Sequence, residues 1–307
     1  MYYRKHTLSL NTTPSLGYTF DYDDNKGSRL TDVTDGTYQA TYAYLANSAM
    51  TAQTTFYESS SLRLQTTREY DLLNRLQRVY SRTNASADTP LISYFDYQYN
   101  QANQRTRSGL VNGSYWLYRY DALGQVTSGK KYWADGTPVP GQQYEYGFDD
   151  IGNRKYARSG GDSNGLNLRT ASNNLNSANL NEYGNRTTPS SVDIIGLGEV
   201  GSSVTVNGSG ADYRRGEYFR EDLGLSTGVD PLWQSVSVTA GATTIAGHLL
   251  IPAATQSFSY DLDGNLTSDG VWTYYYDAEN RLYRVENSTS LSPTSARKKL
   301  LFEYDHL

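Results

Sequence analysis

The chain has 307 residues, a formal net charge of −5, no cysteine and 37% hydrophobic residues. That length suits one large domain or two ordinary ones. The absence of cysteine excludes a disulfide framework and thiolate metal sites, and the negative balance argues against a general nucleic-acid binder, which needs a basic face. No apolar run approaches the ~18 residues of a spanning helix, and Met1 to Thr13 carries no apolar stretch of the signal-peptide kind. The chain contains 29 Tyr. A tyrosine ring packs while its hydroxyl stays wet or hydrogen-bonded, which suits a sheet with two partly solvated faces.

In chain order, residues 1–17 are polar and read as a frayed strand. Tyr18 to Met50 reads as one good hairpin and one degenerate one, Tyr42-Ala43-Tyr44-Leu45-Ala46-Asn47. Thr54 to Val79 reads as two strands around a turn at Leu72–Asn74, and Ser81 to Pro90 as a polar loop. Leu91 to Gly109 and Ser114 to Gly129 are further hairpins, and Asp135-Gly136-Thr137-Pro138 is a turn. Tyr144 to Arg158 closes this section. Ser159 to Ser191, rich in Gly, Asn and Ser, is expected to be loop or weak strand. Val192 to Ala254 carries no Tyr-Asp pair. It reads as four strands, Val192–Gly196, Ser203–Gly208, Gly216–Phe219 and Trp233–Val238, the last alternating apolar with polar residues.

The chain then resumes its main theme in Ser257 to Val285. Tyr260-Asp261-Leu262-Asp263-Gly264-Asn265-Leu266 is followed by Tyr276-Asp277-Ala278-Glu279-Asn280-Arg281-Leu282. Each unit is an aromatic strand, an Asp, a short polar turn and a second strand. Asp side chains bond their own backbone at turns, and Gly or Asn accepts positive φ there. Tyr-Asp pairs stand at Tyr22-Asp23, Tyr70-Asp71, Tyr120-Asp121, Tyr260-Asp261, Tyr276-Asp277 and Tyr304-Asp305. Chance gives about two such pairs at this composition, so the excess marks an internal repeat. Phe148-Asp149 and Tyr99-Asn100 are variants. No stretch shows a helical period, so the chain is expected to be all-β.

Tyr-x-Tyr-Asp-x-x-Gly-Arg-Leu is the signature of RHS or YD repeats, and these units resemble it over most of Tyr18 to Leu307. The resemblance implies a β-hairpin strip that spirals into a shell or tube, as in bacterial RHS proteins, the shell subunits of insecticidal toxin complexes and teneurins. It implies three sections: a YD strip over 1–187, a β-rich insertion over 188–257 resembling small Ig-like sandwich modules, and a strip over 258–307 that continues beyond this sequence. The implied role is structural, in a secreted or cell-surface assembly. The implied partners are further YD repeats or other copies joined through strand edges, an encapsulated toxin, or a cell-surface glycan. The rival expectation makes the insertion a recognition module with an exposed aromatic patch at Trp233, Tyr218 and Phe219.

Candidate chemistry is sparse, and neither catalytic residues nor a cofactor are expected. Asp21, Asp23, Asn25 and Asp32 imitate a calcium loop, but Lys26 stands where that motif needs Gly. His6, His248 and His306 lie far apart, with no nucleophile near them. Asp149-Asp150 and Glu221-Asp222 sit at turns rather than in a recognisable acid pair. Asp230-Pro231 resembles a fragment of the self-cleaving site of RHS shells without its flanking pattern, so the activity is not carried over. The residues expected to matter are the turn-formers: Tyr22, Asp23, Tyr70, Asp71, Tyr120, Asp121, Tyr260, Asp261, Tyr276, Asp277, Tyr304 and Asp305.

Overall fold

A computed structural model describes residues 6–10, 16–23, 29–83, 90–176, 181–287, 289–291 and 293–305. These residues are organised almost wholly as antiparallel strands; the one helical element among them is the single turn Thr294–Ala296. Among the described residues no helix is long and apolar enough to cross a membrane. The largest sheet has sixteen strands, and its order follows the chain from Thr7–Leu10 to Tyr183–Thr187 before ending on Thr255–Ser257. The chain divides into two compact units, Met1–Leu117 and Tyr118–Leu307.

In the first unit each strand pairs with the one before it. Leu16–Asp23, Arg29–Thr34, Tyr38–Tyr44, Thr51–Glu58, Ser61–Tyr70, Leu76–Arg82, Ser93–Tyr99 and Arg105–Leu110 form this meander. Most of its strand side chains are half-buried, and few are buried. Tyr, Thr, Arg and Gln dominate the strands, so stability here comes from cross-strand pairs on a single layer. Arg guanidinium groups lie over tyrosine rings throughout, as with Arg105 over Tyr97 at 3.7 Å and Arg107 over Tyr115 at 4.5 Å.

One irregularity recurs along the chain. Tyr70 faces Leu76, but Glu69 faces Arg78, so Gln77 is an extra residue. The same one-residue shift accompanies Tyr22, Tyr44, Tyr99, Phe148, Tyr260 and Tyr276. A bulge of this kind bends the strand and increases its twist.

The second unit holds the strands Val126–Tyr132, Pro138–Phe148, Arg154–Gly160, Leu168–Leu175 and Tyr183–Thr187, paired in sequence. Of the loop or weak strand expected over Ser159 to Ser191, the structure shows two strands, Leu168–Leu175 and Tyr183–Thr187. Leu168–Leu175 pairs on both sides, because flanking strands supply the ladder that its polar composition does not advertise. After Thr187 the chain leaves the sheet and returns at Thr255–Ser257, which pairs with Tyr183–Thr187 itself. The excursion between them forms two small sheets. One orders Ser191–Leu197, Tyr218–Gly224 and Tyr213–Arg215; the other orders Ser209–Gly210, Val204–Val206, Leu232–Ala240 and Thr243–Ile251. Val204, Val206 and Phe219 form the core between them, with Ile194, Val236 and Val238 packed around it. A final five-stranded sheet runs from Ser259–Tyr260 through Leu266–Ser268, Trp272–Tyr276 and Leu282–Asn287 to Lys299–Leu301.

Candidate functional site: a ladder of Asp-led turns

The repeated unit is a closed hydrogen-bonded turn. Asp71 Oδ1 accepts the N–H groups of Leu73 and Arg75, both at 2.9 Å, while Oδ2 accepts Arg75 Nε at 2.6 Å. The Asp71 N–H donates to the Arg75 carbonyl and the Asn74 N–H to the Asp71 carbonyl, each at 2.9 Å. Asn74 has φ 62°, the left-handed region where Asn and Gly are tolerated. Asp277 repeats the arrangement with Glu279, Asn280 and Arg281. Asp121 does so with Leu123 and Gln125, Asp149 with Ile151 and Asn153, and Asp261 with Asp263 and Asn265. Asn100 does it as an amide, accepting from Ala102 and Gln104. In the Asp-led turns the fourth residue on is Arg, Gln or Asn, and each supplies an N–H to the second oxygen; at Asn100 the bond reverses, and its amide donates to Gln104 Oε1 at 2.7 Å. Asp162 builds the same turn after Gly161, with Asn167 as the side-chain donor. Sequence reading missed it because it lacks the aromatic; the Asp-Ser-Asn-Gly spacing was the available signal.

These bonds fix ionisation as well as shape. The Arg75 N–H holds the Asp71 carboxyl below its usual range, and the Arg281 N–H and guanidinium do the same to Asp277. The Asn265 amide lowers Asp261, and the Leu166 N–H lowers Asp162.

Successive turns are tied together at two points. Arg75 Nη1 donates to Asn103 Oδ1 in the next turn at 2.9 Å, Asn153 to Asn181 at 3.1 Å, and Asn265 to Asn280 at 2.9 Å. Each acceptor stands at a left-handed position, with φ 60°, 65° and 58°. The tyrosines form the second tie. Tyr44 donates to the Leu30 carbonyl, Tyr70 to Thr51, Tyr99 to Leu76 and Tyr304 to Leu282, at 2.7–3.0 Å. Every acceptor is the residue paired with the preceding tyrosine: Leu30 with Tyr22, Thr51 with Tyr44, Leu76 with Tyr70 and Leu282 with Tyr276. Arg29, Arg75 and Arg281 cover the rings of Tyr44, Tyr99 and Tyr304 at 4.8–5.4 Å. At Tyr260 the direction reverses, and its hydroxyl oxygen accepts the Tyr183 N–H, as the Tyr183 hydroxyl accepts that of Arg154. The tie therefore bridges the point where the excursion leaves and returns.

The remaining expected residues are placed as follows. Tyr22 packs edge-on against His6 at 5.5 Å, and Asp23 pairs with Arg29, while residues 24–28 of that turn lie outside the described residues. So do Asn25 and Lys26 of the calcium-like loop, and His306. Asp21 and Asp32 face each other as a strand pair. Tyr120 ends its strand before the Asp121 turn, and Asp305 closes the described chain. Among the described residues no group of three or more acidic or histidine side chains could hold a metal. Asp230 and His248 are exposed.

A buried ionic cluster, not foreseen from sequence, seats the excursion on its neighbouring strands. Arg169 pairs with Asp193 and, at 2.5 Å, with Asp222. Arg220 meets Asp193 at 2.7 Å, Asp222 at 3.1 Å and Asp212 at 3.2 Å. The side chains of Asp193 and Arg220 are only 9% and 8% exposed. Burial opposes ionisation of Asp222, but its bond to Ser191 and the two guanidinium charges outweigh that and lower its carboxyl. Beside the cluster, the Tyr218 hydroxyl donates to the Pro140 carbonyl at 2.6 Å, and burial pushes it up to about 12. Tyr218 and Phe219 are 8% and 4% exposed. The expected aromatic patch is thereby corrected: both rings face inward, and only Trp233 remains half-buried, stacked on His248 at 5.1 Å.

Fold and turns together define an all-β protein assembled from hairpin repeats. No family model matches it, and no curated protein does. Among solved structures it is similar to the TcdB2-TccC3-Cdc42 complex, with TM-score 0.36 and 12% identity over 95% of this chain and 18% of that one. It is similar also to a Photorhabdus luminescens Tc holotoxin pore with a mutated TccC3, at TM-score 0.36 and 12% identity over 96% and 20%. A third likeness is to TcdB2-TccC3 without its hypervariable C-terminal region, at TM-score 0.33 and 10% identity over 96% and 20%. The chain thus spans about a fifth of the length of these chains.

Proposed function

We propose that this chain is a section of a YD-repeat wall that encloses a toxic segment, and that its work is mechanical rather than catalytic. The observation that carries this reading is the turn ladder. Similar turns are linked side chain to side chain, and the Tyr44, Tyr70, Tyr99 and Tyr304 hydroxyls are bonded to the backbone of the hairpin before them. Such a device specifies register over many hairpins without a second layer behind the sheet. Asp71, Asp121, Asp261 and Asp277, which stand out from the sequence, are engaged in these bonds, which supports a mechanical role for them. The wall belongs to a secreted or surface-exposed assembly in this reading.

The experiment is to express the chain within its native reading frame and challenge the product with protease. A wall predicts that a segment carried in the same frame resists digestion, and that Arg75→Ala with Arg281→Ala makes it sensitive. Digestion at the rate seen in denaturant would overturn the reading. The recognition alternative loses its main support with Tyr218 and Phe219 buried. Turnover on a glycan panel would instead favour an enzyme.

A further inference from the structure

The strand Thr243–Ile251 is the outer member of the four-stranded sheet in the excursion. On one side it pairs with Leu232–Ala240 without a break in register. On the other side no described residue pairs with it. Natural proteins guard such an edge with charge, proline or a bulge. This strand, Thr-Thr-Ile-Ala-Gly-His-Leu-Leu-Ile, has no proline and no Asp, Glu, Lys or Arg, and its first six residues are exposed.

Its inner face is also left open. Thr243, Ile245 and Gly247 lie opposite Ala240, Val238 and Val236 and so share their side of the sheet. Those three partners pack onto the core of Val204, Val206 and Phe219. Ile245 is therefore on the core-facing side, yet it is 72% exposed. The reason is a mismatch of width, since the facing sheet has three strands against four. Next to Ile245 on this face stands Gly247, where an added Cβ would meet nothing within 4 Å.

We propose that Thr243–Ile251 is an assembly edge, where a second copy of this chain adds the same strand antiparallel about a two-fold axis at Ala246. That register sets Ile245 of each copy opposite Gly247 of the other. The isoleucine side chain fills the space that the glycine leaves, and both overhangs close at once. Thr244 then faces His248, and no charge meets a like charge. The two sheets become one, with self-complementary edges of the kind that closed two-fold dimers require. The occupant is a second copy because isoleucine and glycine sit at matching distances on either side of one residue.

The cysteine-free sequence gives a direct test. In full-length Ala246→Cys, the two thiols face each other across the axis, where directly opposed Cα atoms are ~4.5–5.5 Å apart, within disulfide reach. Under mild oxidation we expect rapid disulfide dimers, at least tenfold faster than for Val229→Cys, a cysteine at a 94% exposed site away from this edge. Adding Ile245→Lys should bring the rate down to that control, and circular dichroism should show both variants folded. Sedimentation of the unmodified protein should shift from monomer to dimer with concentration. Equal rates for the two cysteine variants, or a rate unmoved by Ile245→Lys, would overturn the proposal.

Discussion

Arg75 reaches out of the turn that it closes and donates to Asn103, the left-handed residue of the next turn, at 2.9 Å. It also bonds Asp71 and covers the Tyr99 ring. One side chain thus completes a turn, joins it to its neighbour and packs the tyrosine that ties the same two hairpins. A double-mutant cycle should register this sharing. Arg75→Ala and Asn103→Ala should be non-additive in urea unfolding by about 0.5 kcal/mol or more, the scale expected of residues in one network. Additive losses would mean that the turns are independent.

The left-handed residue of each turn is a second point of test. Gly152 has φ 93°, and an added Cβ would meet only the Gln125 side-chain oxygen, at 3.4 Å, an ordinary contact. The cost of Gly152→Val is therefore backbone strain, about 1–3 kcal/mol. Gly228, where the backbone is not in that region and nothing lies within 4 Å, should take valine with little change. Equal shifts in unfolding midpoint would remove strain as the reason for glycine in these turns.

Acid should loosen the ladder. Asp71, Asp162, Asp222, Asp261 and Asp277 are all held below the usual carboxylate range when folded. A depressed folded value means that the stabilisation is present above the unfolded value near 4 and is lost as pH falls through the folded one. The urea midpoint should therefore be flat above about pH 5 and decline below about pH 4. A midpoint that rises between pH 5 and pH 3 would contradict this.

The ionic cluster makes an unequal pair of predictions. Asp193→Ala removes the more buried of the two carboxylates that Arg169 and Arg220 share, leaving them Asp222, and should cost ~1–3 kcal/mol. Hydrogen exchange should quicken first in Ser191–Leu197 and Tyr218–Gly224. Asp135 also has an arginine partner, Arg215 at 2.9 Å, but both side chains are substantially exposed. Asp135→Ala should therefore give the smaller shift in melting temperature.

How much of this was legible follows from where the forces lie. Tyr-Asp pairs announce the hairpins because the Asp turn is a local device, closed within five residues. The donor four positions on was hidden by its variety, since Arg75, Gln125 and Asn265 make the same bond with different side chains. The bulge beside each tyrosine was hidden because it exists only between paired strands. Leu168–Leu175 carries no strand-like composition, and its neighbours impose the structure. The Arg169–Asp193–Arg220 cluster joins residues far apart in sequence, beyond the reach of any spacing rule. The burial of Tyr218 and Phe219 was equally invisible, because a residue that covers a core and one that binds a partner look alike in one dimension.

Excision of the excursion tests both the wall and the cluster. The chain leaves and returns at adjacent points: the Thr188 N–H donates to the Ala254 carbonyl at 2.9 Å and the Thr188 hydroxyl to Ala253 at 2.6 Å. Tyr183–Thr187 is paired with Thr255–Ser257, and Tyr260 still reaches back to Tyr183. Joining Thr188 to Ala254 through an Asn-Gly turn, the chemistry that suits a two-residue hairpin, should preserve the sheet and a strand-dominated circular dichroism spectrum. It should not be neutral. Arg169 loses both of its carboxylates, and the Pro140 carbonyl loses the buried Tyr218 hydroxyl. The excised protein should melt lower than the parent, and Arg169→Thr in that background should recover part of the loss by removing a stranded charge. A wholly unfolded product with either residue at 169 would show that the excursion is part of the wall.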